Sequence, residues 1–226
     1  MNIRLQFKIL VTTATLGLLF IVTSVISLEL VNFKLPYTKG ETHQLTCGYG
    51  CGGHTGKDYY ALDFSQPGCQ AYGKEVLAVA DGVVIKVENP TNPRLDKFIE
   101  IEHNNLKTTY HHLSNISLEK EGSVVYQGEV IGYIGNSGYV KGRACSQYPG
   151  THLHFSMQQK GQDGKWYPYK PEPMSGYTNF TQGKSYTSDN EIYQLKPPTQ
   201  GAITPEKPLS FWEKVRIAIS NFWDEI

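Results

Sequence analysis

The sequence predicts an all-β domain of antiparallel strands, and three observations carry that expectation. From Glu75 onward, short apolar or alternating runs are separated by turn signals, the pattern of half-buried strands. No helical pattern of ten residues occurs in that stretch. The chain of 226 residues holds 22 Gly, 12 Pro and 15 Tyr and is only 19% charged, which suits short strands and turns, while 39% apolar content argues against disorder.

The elements follow in order. Leu77 to Val87 carries an Asp81-Gly82 pair between Val-rich segments and predicts a hairpin. Phe98 to His103 alternates cleanly, and Asn104-Asn105 turns it into Lys107 to Leu113. Ser123 to Ile134, broken by Gly128 and Gly132, and then Thr151 to Gln159 read as further strands, and Gly161 to Gly164 closes a last hairpin into Lys165-Trp-Tyr167. These runs place one β domain over residues 35–183. Residues 184–208, polar and Pro-bearing without a sustained period, read as a linker.

Two terminal helices flank this domain. Arg4 and Lys8 precede the uncharged stretch Ile9–Leu28, so residues 1–30 read as a signal peptide or an N-terminal membrane anchor. The cleavage site Val25-Ile26-Ser27 is weak, which leans toward an anchor through residues 9–28. Either reading sends the rest of the chain out of the cytoplasm, to the cell envelope or beyond. Residues 209–226 carry a Ser210/Glu213 capping box, with Phe211, Trp212, Val215, Ile219, Phe222, Trp223 and Ile226 on one stripe, an amphipathic helix. It docks on the domain itself or on a partner or membrane surface.

Charge and cysteines narrow the function. Lys+Arg and Asp+Glu both number 21, so no basic field exists for phosphates and nucleic acid is not an expected partner. Cys47, Cys51, Cys69 and Cys145 form an even set in an exported chain, which predicts disulfides, with all three pairings open. A zinc site on Cys47-x-x-x-Cys51 is the rival reading, but no second such pair completes a tetrahedron.

The chemistry-bearing run is His152-Leu-His-Phe-Ser-Met157. On a strand, His152, His154 and Ser156 share one face, so both imidazoles can address one site. A mononuclear catalytic zinc takes three protein ligands and an open position, so these histidines need help from elsewhere. Gly53 to Phe64 offers His54 with Asp58 and Asp63. Tyr110-His-His-Leu113 offers His111 and His112, which alternation sends to opposite faces, so only one is expected to join a common site. His103, His111 and His43 are then expected to be structural or exposed. Tyr110, Tyr133, Tyr139 and Asn136 are candidates for a substrate groove, with ordinary packing the plainer alternative. No His-Glu-x-x-His helix is present.

These blocks together resemble the lysostaphin-type zinc metalloendopeptidases that cut peptide bonds in bacterial cell walls. The likeness rests on His54 with Asp63-Phe-Ser-Gln-Pro67, on Thr108-Thr-Tyr-His-His-Leu113 and on Thr151-His-Leu-His-Phe155. Val76 to Val84 and Gly128 to Gly138 fall between them in the family's order, and the resemblance covers residues 40 to 160. It implies a sandwich-like antiparallel fold and one Zn²⁺ held by His54, Asp63 and His154. It also implies His152 as general base and His112 as an electrostatic aid, with peptidoglycan peptide as substrate. The family's His-x-x-x-Asp spacing picks Asp58, whereas its Asp-Phe-x-x-Pro run picks Asp63, and Asp63 is the choice here. The alternative is a non-catalytic member that binds peptidoglycan or regulates a cell-wall amidase. The stretch from Tyr139 to Gly150 is longer than the family's usual turn, and a disulfide between Cys69 and Cys145 would brace loops around the cleft.

Overall fold

A computed structural model describes residues 31–118, 120–140, 142 and 146–194. The expected N-terminal segment, the C-terminal amphipathic helix and Cys145 lie outside the described residues. Twelve strands run in order as β1 (Thr42–Cys47), β2 (Leu62–Ser65), β3 (Glu75–Leu77), β4 (Gly82–Glu88), β5 (Phe98–His103) and β6 (Leu106–His111), then β7 (Leu113–Ile116), β8 (Val124–Val125), β9 (Val130–Ile134), β10 (Leu153–Lys160), β11 (Trp166–Tyr169) and β12 (Ser185–Thr187). A single 3₁₀ turn, Gly56–Asp58, is the one helical element among the described residues. No helix among them is long and apolar enough to cross a membrane.

The strands form two antiparallel sheets, as the alternation predicts. The larger runs β12-β1-β2-β10-β6-β5-β4-β8, with β11 also pairing β10; the smaller runs β3-β9-β7. Burial follows the period of two: Ile99, Ile101 and His103 of β5 are buried, while Phe98, Glu100 and Glu102 between them are not. Leu62, Phe64, Tyr110, Leu153 and Phe155 from the large sheet, with Val76, Leu113, Ile131 and Ile134 from the small one, are fully buried and form the core. Asn104, at φ 59°, turns β5 into β6, and β10 pairs β11 across Gly161–Gly164, so both of these hairpins form where the turn residues place them.

Two expectations fail. The Asp81-Gly82 pair makes no hairpin: β3 pairs β9 in the small sheet, whereas β4 pairs β5 and β8 in the large one. The glycine is needed for close approach instead, because a Cβ at Gly82 would lie 2.6 Å from the Glu102 carbonyl oxygen and 2.7 Å from His103 Nδ1. The segment from Lys184, read as a linker, begins with β12, which pairs β1 through His43↔Tyr186. The chain then crosses Gly128 so closely that a Cβ there would sit 1.9 Å from the Glu191 carbonyl oxygen, and the Tyr193 N–H bonds the Gly128 carbonyl at 2.8 Å. Polar composition hid this edge because only alternate residues, Tyr186, Ser188 and Asn190, are buried.

Candidate metal centre

Strand pairing assembles the site. His154 of β10 stands opposite Asp63 of β2 on one side and His111 of β6 on the other, so the three side chains form one row on one face of the sheet. Leu153 and Phe155 point the other way, into the core. His54 enters from the loop after β1, held by two bonds: its N–H reaches the Cys51 carbonyl at 2.9 Å and its Nδ1 donates to the Gly48 carbonyl at 2.7 Å.

Two imidazoles meet on one carboxylate oxygen. His54 Nε2 is 3.1 Å and His154 Nδ1 is 2.9 Å from Asp63 Oδ1, and His152 Nε2 is 3.7 Å from Asp63 Oδ2. The geometry around His54 tests whether a metal fits. A neutral His54 that donates from Nδ1 carries a bare lone pair on Nε2, facing an oxygen that has no proton to give. Either a proton or a cation must sit between them. A ligating histidine whose other nitrogen is anchored on a backbone carbonyl is the usual arrangement at zinc, and two imidazoles with one carboxylate suit that ion.

The electrostatics follow from this crowding. Burial opposes ionisation of Asp63, but the bonds from His154 and His54, with His152 nearby, hold its carboxyl well below the usual carboxylate range. Burial also opposes charge on His54, yet the Asp63 carboxylate outweighs it and raises the ring. Burial pushes His152 and His154 down, against the pull of Asp63, so both favour the neutral form.

Asp58 stands apart from this convergence. It lies in the 3₁₀ turn, where Oδ1 accepts the Ser156 hydroxyl at 3.1 Å, one step further along the His154 face of β10. Cys47 is nearer: its sulfur lies within 4.8 Å of ligand atoms of His54 and Asp63. That sulfur is bonded to Cys51, however, so no thiolate is present to coordinate. Cys69 is disulfide-bonded as well, and no described cysteine is free.

His111 and His112 both border the site, contrary to the expectation from alternation. Strand β6 ends at His111, and His112 adopts φ 62°, so the alternation stops between them. The His111 ring lies 5.5 Å from that of His154; the His112 ring lies 4.8 Å from that of His152 and 5.9 Å from that of His154. Asp96, which no motif singled out, holds this corner. Its Oδ1 accepts the His112 backbone N–H at 2.9 Å and its Oδ2 bonds His111 Nδ1 at 2.6 Å. Burial opposes ionisation of Asp96, but the bonds from His111 and His112 hold its carboxyl well below the usual range. His112 Nδ1 donates to the Ser137 carbonyl at 2.9 Å, and His152 Nδ1 donates to that of Gly150 at 2.7 Å.

The tyrosines divide. Tyr110 is fully buried on the core side, where its hydroxyl accepts the Val79 N–H, so it lines no groove. Tyr139 is 82% exposed on the loop after β9, and the Asn136 amide bonds the Pro149 carbonyl. Tyr148, in the long loop, stacks on Tyr72 with ring centroids 3.6 Å apart.

Comparison with known proteins finds relatives over part of the chain. The chain is 31% identical over 125 residues to stage II sporulation protein Q of Bacillus subtilis, covering 55% of this chain and 36% of that protein. It is 36% identical over 100 residues to the peptidoglycan DD-endopeptidase ShyA of Vibrio cholerae, covering 44% of this chain and 20% of that one. The chain thus spans about a third and a fifth of these relatives' lengths. Among solved structures, a zinc-containing peptidase from Vibrio cholerae is 27% identical, with TM-score 0.46, covering 63% of this chain and 40% of that one. The model of peptidase family M23 matches residues 59–165, which hold every residue of the site except His54 just upstream. The chain therefore carries a peptidase family M23 domain.

Proposed function

We propose that this chain is an extracytoplasmic zinc metalloendopeptidase that hydrolyses peptide bonds in peptidoglycan. The observation that carries the reading is the convergence of His54 and His154 on Asp63, with His54 Nδ1 already committed to a backbone carbonyl and Nε2 facing the carboxylate. These three side chains would hold zinc, which when bound polarises a scissile carbonyl and makes water acidic enough to attack near neutral pH.

The remaining work falls to the chain's own residues. His152, tied at Nδ1 to Gly150 and kept neutral by burial, offers Nε2 as the base. It takes the proton of the attacking water and returns it to the leaving amine. His112 is fixed at Nδ1 by the Ser137 carbonyl, which leaves Nε2 available beside His152. When that nitrogen is protonated it donates to the developing oxyanion, and Asp96, 3.3 Å from the ring, balances the charge.

The substrate class is supported by the relative named as a peptidoglycan endopeptidase, and the location by Arg4 and Lys8 ahead of residues 9–28. Incubating zinc-loaded protein with purified cell walls, followed by mass analysis of released peptides, tests the reading. Chelator-reversible release that is lost in His152→Ala is expected. No release by zinc-loaded protein from any wall preparation contradicts it, and retention on those walls would then favour the non-catalytic binding module.

A further inference from the structure

The Cys47–Cys51 disulfide closes the loop that carries the anchors of His54. The Gly48 carbonyl that receives Nδ1 lies inside that loop, and the Cys51 carbonyl that receives the backbone N–H lies at its end. Cys47 is also the register partner of Asp63 across β1 and β2, and its sulfur lies within 4.8 Å of ligand atoms of both His54 and Asp63. Ligand atoms of a tetrahedral zinc stand about 3 to 4 Å apart, so a small rotation of a freed Cys47 side chain brings its sulfur into range. Both cysteines are half-buried, Cys47 at the end of β1 and Cys51 in the loop that follows it.

We infer that Cys47 is a latent fourth zinc ligand, masked by its disulfide and released by reduction, so that the oxidised centre is open and the reduced centre is capped. The inference rests on the zinc site described under Proposed function. The redox step is a two-electron exchange. A dithiol reductant gives two electrons and two protons to the Cys47–Cys51 bond, both cysteines become thiols, and the reductant leaves as a disulfide. Cys47 then loses its proton to solvent as its sulfur coordinates. Three protein ligands leave zinc a position for water, whereas four close the sphere, the arrangement of structural zinc. The disulfide therefore keeps a soft competitor away from the metal, besides fixing His54.

Zinc-edge X-ray absorption on the full chain reads the ligand atoms directly, and two single substitutions separate sulfur ligation from loss of the disulfide. Cys51→Ser leaves Cys47 free without any reductant, whereas Cys47→Ser breaks the same bond and removes the proposed ligand. Oxidised wild type is expected to show only nitrogen and oxygen neighbours. Cys51→Ser and reduced wild type are expected to gain one sulfur at about 2.3 Å, and Cys47→Ser none. A sulfur-free zinc shell in Cys51→Ser overturns the inference, as does an equal sulfur shell in Cys47→Ser. Oxidised wild type that takes up no zinc would overturn the catalytic reading and the inference with it, whereas zinc-loaded oxidised wild type beside a sulfur-free Cys51→Ser overturns the latent ligand alone.

Discussion

His103 and His54 are both buried, and both donate from Nδ1 to a backbone carbonyl at 2.7 Å, that of Asp81 in one case and of Gly48 in the other. Their second nitrogens differ. Thr108 directs its one proton to the Tyr110 hydroxyl at 3.1 Å, but as a hydroxyl it can turn that proton to His103 Nε2, 2.8 Å away. His54 Nε2 faces a carboxylate, which has no proton to turn. Burial pushes His103 down to about 4, whereas Asp63 outweighs burial and raises His54. One ring is complete as a neutral group and belongs to the scaffold. The other is complete only with a proton or a cation between it and Asp63, and that difference sets the two buried rings apart.

The largest effect expected from breaking this contrast is at Asp63. Asp63→Ala should weaken zinc binding by more than about hundredfold, since even outer-shell changes cost 10- to 100-fold, while Asp58→Ala keeps the metal. Zinc content after dialysis against a weak chelator reads both. If Asp63→Ala keeps its zinc and Asp58→Ala loses it, the carboxylate has been misassigned. At His152, substitution by alanine should lower kcat on wall peptides by about 10²- to 10⁴-fold with zinc content unchanged.

The scaffold side of the comparison makes a pH prediction. Because His103 binds its proton less readily when folded, the unfolded chain holds more protons below about pH 6.5. This residue's contribution is therefore complete above that pH and is lost as the pH falls toward 4, a change of about 3 kcal/mol. Urea denaturation of zinc-free protein across that range should show the loss, and His103→Gln should be less stable at pH 7 but flatter below it. A wild-type slope no steeper than that of the variant would count against a neutral buried His103. The smallest effect is expected at Asp96. Asp96→Asn keeps one acceptor for the His112 N–H but loses the anion, and should lower kcat about tenfold with KM and zinc content little changed.

Much of this contrast was legible in the sequence, and the gaps have physical reasons. Period-two runs and the turns at Asn104-Asn105 and Gly161–Gly164 gave the sheet, and His-x-His gave a shared face, because these signals are local. Asp81-Gly82 misled because a hairpin dipeptide does not say which strands will pair, and here its flanks go to different sheets. His111 was set aside because alternation holds only within a strand, and β6 ends before His112. Asp96 left no trace, since it reaches His112 from a loop 16 residues away. The tandem His111-His112 was the one visible hint that an extra ring stands at this corner.

The proposed zinc ion would be held by His54 Nε2, Asp63 and His154 Nδ1. Anomalous diffraction at the zinc edge, on crystals of the oxidised full chain, tests this placement most directly. A single peak is expected within about 2.0 to 2.2 Å of those three ligand atoms. A peak held by Asp58 instead of Asp63, or no peak from crystals grown with zinc, would contradict it.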